Sequence, residues 1–239
     1  MNGAVIKGYE EDVGNRTSVY VHTAHSITTS LYVFKQYGYT SVPADEVLKL
    51  RREHCLIVMA YAYHTDTDLS SAFFSQDIKF VLIPEGMRDF IWLESLLKGE
   101  KITKNSYRNA VPRNYYAGRY NESRFYVLHQ DFLRYVRNRF LLSAQLNNSY
   151  WAIVRPTNGA FTLFLALHTC DTVSAYGFMT ENFEKYSNYY VQRNIKTRVI
   201  FYANHDYYQE MRMWKKLHQS KILKLYERLE SESVTEKPH

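Results

Sequence analysis

His205 follows the apolar run Val199 to Tyr202 and precedes Glu210 by five positions, which places an imidazole at a strand end and a carboxylate in the first turn of the helix after it. An imidazole titrates near neutral pH, and with a carboxylate in reach it can act as a general base. A histidine in a surface turn would carry the same local pattern. Upstream, Pro156-Thr157-Asn158-Gly159 sets a hydroxyl, an amide and a glycine at the start of an apolar helix. Unpaired backbone N–H groups and the helix dipole attract an anion there, so a carboxylate or phosphate suits the turn. An ordinary capped helix would read the same way.

Other residues suggest metal chemistry and fail to complete it. Asp66-Thr67-Asp68 is the triplet with which many glycosyltransferases hold a divalent cation against a nucleotide diphosphate, and His22 and His25 have a helical ligand spacing without an evident third ligand. No metal site is expected. Cys55 and Cys170 are the two cysteines, too few for a disulfide framework or a paired CxxC site. The net charge of +6 suits an anionic ligand without naming one. The 22 tyrosines suit stacking against sugars or bases, and equally a tyrosine-rich packing surface. Where tyrosines interleave with basic residues, in Lys98 to Arg124, a nucleic-acid-binding module is the rival reading from another class. Asn15, Asn121 and Asn147 begin Asn-x-Ser/Thr triplets, which carry glycans only if the chain enters the secretory lumen.

The elements that must position these groups follow from periodicity. Residues 1–43 mix glycines with short apolar runs, as strands, turns and a short helix do. Ile78, Phe80 and Leu82 alternate as in a strand, and Phe90, Leu93 and Leu97 recur at helical spacing after it. Lys98 to Arg124 reads as a long surface loop. Asp131 to Gln145 and Ala160 to Leu167 read as helices, Val173 to Phe178 and Val199 to Tyr202 as strands, and Met211, Trp214 and Leu217 mark a last helix. The expected class is α/β, a mostly parallel Rossmann-like sheet with helices on both faces and the site at the strand ends.

Taken in order, these pieces resemble the motifs of the animal sialyltransferases. Pro156-Thr157-Asn158-Gly159 through Cys170-Asp171-Thr172-Val173-Ser174-Ala175-Tyr176-Gly177-Phe178 is similar to the family's small motif, Tyr189-Tyr190 to the third, and His205 to Glu210 to the very small one. Asn2-Gly3-Ala4-Val5-Ile6-Lys7-Gly8-Tyr9-Glu10 with Asp12-Val13-Gly14 resembles the tail of the large motif. Within the family, Ser174 to Phe178 and Ile200 to Asp206 point toward the enzymes that sialylate O6 of protein-linked N-acetylgalactosamine.

The resemblance implies a GT-A-like fold and an inverting transfer from CMP-sialic acid to an O-glycosylated glycoprotein, without metal or other cofactor. His205 would deprotonate the acceptor, Thr157, Asn158 and Gly159 would hold the donor carboxylate, and Asn2 would hold the phosphate. Gly177 would admit backbone to the nucleotide, Tyr190 would stabilise the departing phosphate, and Tyr189 and Glu210 would complete the substrate-binding set. It also implies residence in the Golgi lumen as a type II membrane protein, with an anchor outside this chain, and no nucleic-acid partner. The family has other residue types where Asn158, Tyr189 and Val191 stand.

By the same resemblance, residues 1–229 form a catalytic domain lacking its N-terminal part, and a polar tail of residues 230–239 is expected to be disordered. The cysteine that would pair with Cys170 belongs to the missing half of the large motif, so the expectation is that Cys170 has no partner here. A non-catalytic fragment of the family is the alternative within that reading. The match runs into Ser41-Val42-Pro43 and resumes near Gln76, so residues 44–74 read as an atypical insertion of the kind an intron read through would leave. Joining Pro43 to Ser75 is then expected to give a chain that folds better.

Overall fold

The computed structural model describes residues 17–34, 55–58, 78–105, 107–116, 120–188 and 196–228. Among them the chain runs β1 (Val19–His22), α1 (Ala24–Phe34), β2 (Cys55–Val58), β3 (Lys79–Leu82), α2 (Met87–Lys98), β4 (Phe125–Val127), α3 (Gln130–Tyr135), α4 (Asn158–Thr169), β5 (Val173–Tyr176), α5 (Tyr207–Gln219) and β6 (Lys224–Leu225). The expected parallel α/β layering is present. All four ladders are parallel and divide into two sheets, β1-β3-β4 and β2-β5-β6.

The period-2 pattern of the first sheet explains its layers. Tyr20 and Phe80 share one buried cluster with Ile27, Leu31, Trp92 and Leu96 of α1 and α2. Val21 and Val81 belong to a second cluster with Phe161 and Phe164 of α4 and Trp214 of α5. Alternate side chains thus enter opposite layers, as in a parallel sheet covered on both faces. Each fully buried aliphatic or aromatic side chain contributes roughly 1.5–3 kcal/mol to that arrangement.

At the C-terminal ends of these strands, side chains fix the helix starts. Thr23 and Ser26 cap α1 reciprocally, Thr23 N–H donating to Ser26 Oγ (2.8 Å) and Ser26 N–H to Thr23 Oγ1 (3.1 Å). Asp89, in the first turn of α2, accepts from the N–H groups of Ala24 (2.8 Å), Glu85 (3.1 Å) and Gly86 (3.1 Å). One buried carboxylate therefore ties α1 to α2, and burial pushes it above its ordinary range.

Several expectations change against these coordinates. Lys98 to Arg124 is not simply a surface loop, because Ile102 and Tyr116 are buried, Trp92 Nε1–H donates to Tyr116 Oη (2.9 Å), and Tyr107 and Tyr115 pack edge-on against Trp92. Arg113 donates to the Leu96 and Leu97 carbonyls at the end of α2. It also lies 2.7 Å from where a Cβ on Gly99 would sit, and Gly99 takes φ +73°, so that turn needs glycine. The aromatic density builds a core and tethers a helix end, so Tyr116 is buried and Tyr107, Tyr115 and Tyr120 are only partly exposed.

Asp131 to Gln145 is not one helix. α3 passes into a π turn, Val136–Leu141, and stops where Leu142 takes the left-handed conformation (φ 44°). Val199 to Tyr202 forms no ladder, and Ile200, Phe201 and Tyr202 stay exposed. Among the described residues no strand pairs with it, and Phe201 stacks on Tyr208 (5.3 Å, 9°) and meets Phe183 edge-on.

The expectation that Cys170 lacks a partner is also corrected. Cys170 is disulfide-bonded, and Cys55 is the sequence's other cysteine. β2 pairs with β5 in the register Cys55↔Val173, which brings it alongside the end of α4, where Cys170 is the C-cap. Thus part of segment 44–74, which reads in the sequence as an atypical insertion, is a strand paired within the second sheet, while its remaining residues, including Asp66 and Asp68, lie outside the described residues. Residues 230–239 lie outside them as well.

Candidate active site

Two helix N-termini meet at the site. Thr157 caps α4, its Oγ1 accepting from Ala160 N–H (3.1 Å). Asp206 caps α5, one carboxylate oxygen accepting from Gln209 N–H (3.0 Å) and the other from Ser143 Oγ–H (2.6 Å). Glu210, in the first turn of α5, joins the two ends. It accepts from Thr157 N–H (2.7 Å) with one oxygen and from Thr157 Oγ1–H (2.6 Å) with the other.

Glu210 is only 5% exposed, and burial pushes its carboxyl up to about 7 against the pull of the two Thr157 hydrogen bonds. Both oxygens accept from Thr157, so Glu210 braces the start of α4. Asn158 opens α4, and Gly159 is buried in its first turn. The N–H groups of this turn are the ones suited to a carboxylate.

His205 lies on the other side of the same turn. Its Nδ1 is 2.9 Å from the Arg155 carbonyl oxygen, which can only accept, so Nδ1 carries the proton and Nε2 is the bare nitrogen. The Asn204 side-chain amide lies 3.3 Å from Nε2, and Arg155 N–H donates to the Asn204 carbonyl (2.9 Å). The His205 imidazole is thus fastened to the stretch of chain that enters the Thr157 turn. Burial is the main cause that lowers the imidazole to about 4; the carbonyl hydrogen bond raises it, and the Arg155 charge lowers it further. His205 is consequently neutral and able to accept a proton at physiological pH.

Gly177 immediately follows β5, exposed and at φ +71°, a conformation that favours glycine and leaves backbone open at a parallel strand's C-terminal end. Asn121 and Asn147 are exposed; the Asn121 side chain accepts from Ser123 N–H (3.0 Å) and Ser123 Oγ–H (2.8 Å). Asn2, Asn15, Tyr189 and Tyr190 lie outside the described residues.

His22 and His25 do not form a ligand pair. His22 ends β1, fully buried between Tyr20 and Tyr116 rings, whereas His25 is exposed on α1. Among the described residues no group of three His, Cys, Asp or Glu side chains is arranged to hold a metal ion. Also among them, no helix is long and apolar enough to cross a membrane.

Reasoning from sequence missed Arg155, Asn204 and Glu85. Arg155 adjoins the Pro156 turn and Asn204 adjoins His205, so adjacency was an available signal for both. Glu85, which pairs with Arg155, lies far upstream and had none.

The family model described as Glycosyltransferase family 29 (sialyltransferase) matches residues 1–74 and 53–222. The alpha-N-acetylgalactosaminide alpha-2,6-sialyltransferase 1 of Gallus gallus is 38% identical over 230 residues, 95% of this chain and 35% of that protein. The alpha-N-acetylgalactosaminide alpha-2,6-sialyltransferase 2 of Homo sapiens is 37% identical over 228 residues, 95% of this chain and 53% of that one. The chain therefore spans about a third to a half of the length of these relatives. A crystal structure of a mammalian sialyltransferase shares the fold with a TM-score of 0.51 at 15% identity, covering 94% of this chain and 58% of the other.

Proposed function

Because the chain belongs to glycosyltransferase family 29, the sialyltransferases, we propose that it carries the catalytic machinery for moving sialic acid from CMP-sialic acid to O6 of protein-linked N-acetylgalactosamine. The observation that carries this reading is the fastening of His205 to the Thr157 turn through Arg155, which joins a neutral base to an anion-binding helix start.

In this reading the Thr157–Asn158–Gly159 turn receives the donor carboxylate, and the open backbone at Gly177 borders the nucleotide. His205 Nε2 takes the proton from the acceptor O6 as that oxygen attacks the anomeric carbon, the bond to the CMP phosphate oxygen breaks, and the centre inverts in one displacement. Asn2 and Tyr190 receive the phosphate as it leaves, and Tyr189 borders the same subsite. Preorganised donors at the leaving group supply much of the acceleration. The reaction as proposed uses no metal or other cofactor. The acceptor is an O-glycosylated glycoprotein in the Golgi lumen, where a type II membrane anchor outside this chain would hold the enzyme, and Asn15, Asn121 and Asn147 are its candidate glycan sites.

The test is transfer from CMP-sialic acid to an N-acetylgalactosaminyl peptide by the wild-type chain and by His205→Ala. Loss of a general base is expected to lower kcat by about 10²–10⁴ while CMP binding stays within about threefold. A His205→Ala chain that transfers at the wild-type rate removes His205 from the mechanism. Absence of transfer by the wild-type chain itself, with CMP still bound, would favour the non-catalytic alternative.

A further inference from the structure

Glu85 and Arg155 form an ion pair that no sequence motif announces. Glu85 stands just beyond the C-terminal end of β3, where the Glu85 and Gly86 N–H groups are held by Asp89. The Arg155 guanidinium reaches it at 2.7 Å, with the Glu85 side chain 10% exposed and that of Arg155 38% exposed. A carboxylate so enclosed is costly to leave ionised, and burial is the main cause raising Glu85, against the opposing pull of Arg155. Its second oxygen and Arg155 Nε are buried without a hydrogen-bond partner. Glu85 is therefore held to one partner and has nowhere else to turn.

The same Arg155 presents its backbone to the base. Its carbonyl takes the His205 Nδ1–H, its N–H holds the Asn204 carbonyl, and the chain before it is fixed by Arg137, which donates to the Val154 (2.9 Å) and Trp151 carbonyls. We propose that Glu85 is a positioning residue for His205: by gripping the Arg155 side chain from the end of the first sheet, it fixes the carbonyl that selects the Nδ1–H tautomer and leaves Nε2 bare. The idea rests on the reading of His205 as the base only for its catalytic consequence; the tautomer is a property of the protein itself.

Without that carbonyl, the Nδ1–H tautomer would be held only by the longer contact in which Asn204 Nδ2–H donates to Nε2 (3.3 Å), and a ring protonated on Nε2 cannot take a proton there. Around the ring the other neighbours are the Asn204 amide and the Tyr207 ring, edge-on at 5.7 Å, neither of which donates or accepts at Nδ1 in this structure. Glu85 is thus the remote group whose removal should be read at the imidazole.

The experiment records ¹⁵N shifts of the His205 imidazole near pH 7 in the full chain, for wild type, Glu85→Gln and Glu85→Asp. The wild type is expected to show Nδ1 protonated and Nε2 bare, Glu85→Gln to move toward a mixture with Nε2–H, and Glu85→Asp to stay closer to wild type. A parallel rate measurement should show kcat for Glu85→Gln down about ten- to a hundredfold, with the donor KM within about threefold. An unchanged tautomer in Glu85→Gln overturns the proposal, even if kcat falls, since general loosening would lower kcat too. Should Glu85→Gln fail to fold, Arg155→Lys decides in its place: the same tautomer shift supports the proposal and an unshifted ring overturns it. Full activity of His205→Ala would overturn the base assignment alone and leave the tautomer result standing.

Discussion

The two sheets of this protein are held together by different means. In β1-β3-β4, strands β1 and β3 each bury three of their four residues, and the layers on both faces are filled by large side chains such as Trp92, Phe161 and Trp214. In β2-β5-β6, β5 buries three of four residues, yet β6 has only two and β2 comes from the segment that the sequence set apart. The second sheet adds a disulfide at Cys170. Burial on two faces holds the first sheet without covalent help, whereas the second, whose β2 pairs over four positions as β1 does but whose β6 pairs over only two, carries a cross-link as well. In the proposed reading the site draws on both, since Glu85 follows the end of β3 and Gly177 follows the end of β5.

The largest effect expected from this contrast is on the first sheet. Trp92→Ala should cost about 3–5 kcal/mol, because it opens a cavity among fully buried residues and strips Tyr116 Oη of its donor. Denaturant unfolding measures it, and a loss below about 1 kcal/mol would mean that this layer does not carry the fold.

A smaller loss is expected in the second sheet. Cys170→Ser should cost about 2–4 kcal/mol, the usual contribution of a cross-link that closes a long loop. Comparing its melting with that of a chain joining Pro43 to Ser75 sharpens the contrast, since the joined chain lacks both β2 and Cys55. If the joined chain melts no lower than the intact one, β2 adds nothing to the sheet and segment 44–74 is dispensable, as its sequence suggested.

The smallest effect is a displacement on the pH axis. His205 is lowered to about 4 by burial, so its neutral form persists well below the ordinary histidine value near 6.5. The kcat profile should accordingly lack an acid limb near pH 6.5 that depends on His205, and a limb there that vanishes in His205→Ala would contradict the buried ring. The linked stability has a definite sign: a histidine with a lowered folded pKa favours the folded state above about pH 6.5, and that contribution is lost as pH falls toward 4. Glu210, raised to about 7, acts oppositely: it favours folding most below the ordinary glutamate value near 4.5, and the advantage is lost as pH rises to about 7.

What could be read without coordinates was local. Thr157 as a helix cap, α4 as an apolar helix, β3 as an alternating strand and His205 just ahead of a helix all follow from neighbours a few residues apart. The family resemblance was read from the same short motifs and their order, and the family model matches residues 1–74 and 53–222. Val199 to Tyr202 misled because an apolar run carries no information on whether a partner strand exists. Lys98 to Arg124 misled because tyrosines suit a surface and a core equally, and only the approach of Trp92 decided between them.

The sequence by itself determined the class of fold, the family and the two helix starts, since each depends on residue type at short spacing. Tertiary structure alone decided that Glu210 braces Thr157 across 53 positions, that Arg155 holds His205 across 50, and that a disulfide forms at Cys170. Such contacts depend on how whole elements pack, and a carboxylate, a guanidinium or a thiol has the same local sequence signal whether or not packing delivers its partner.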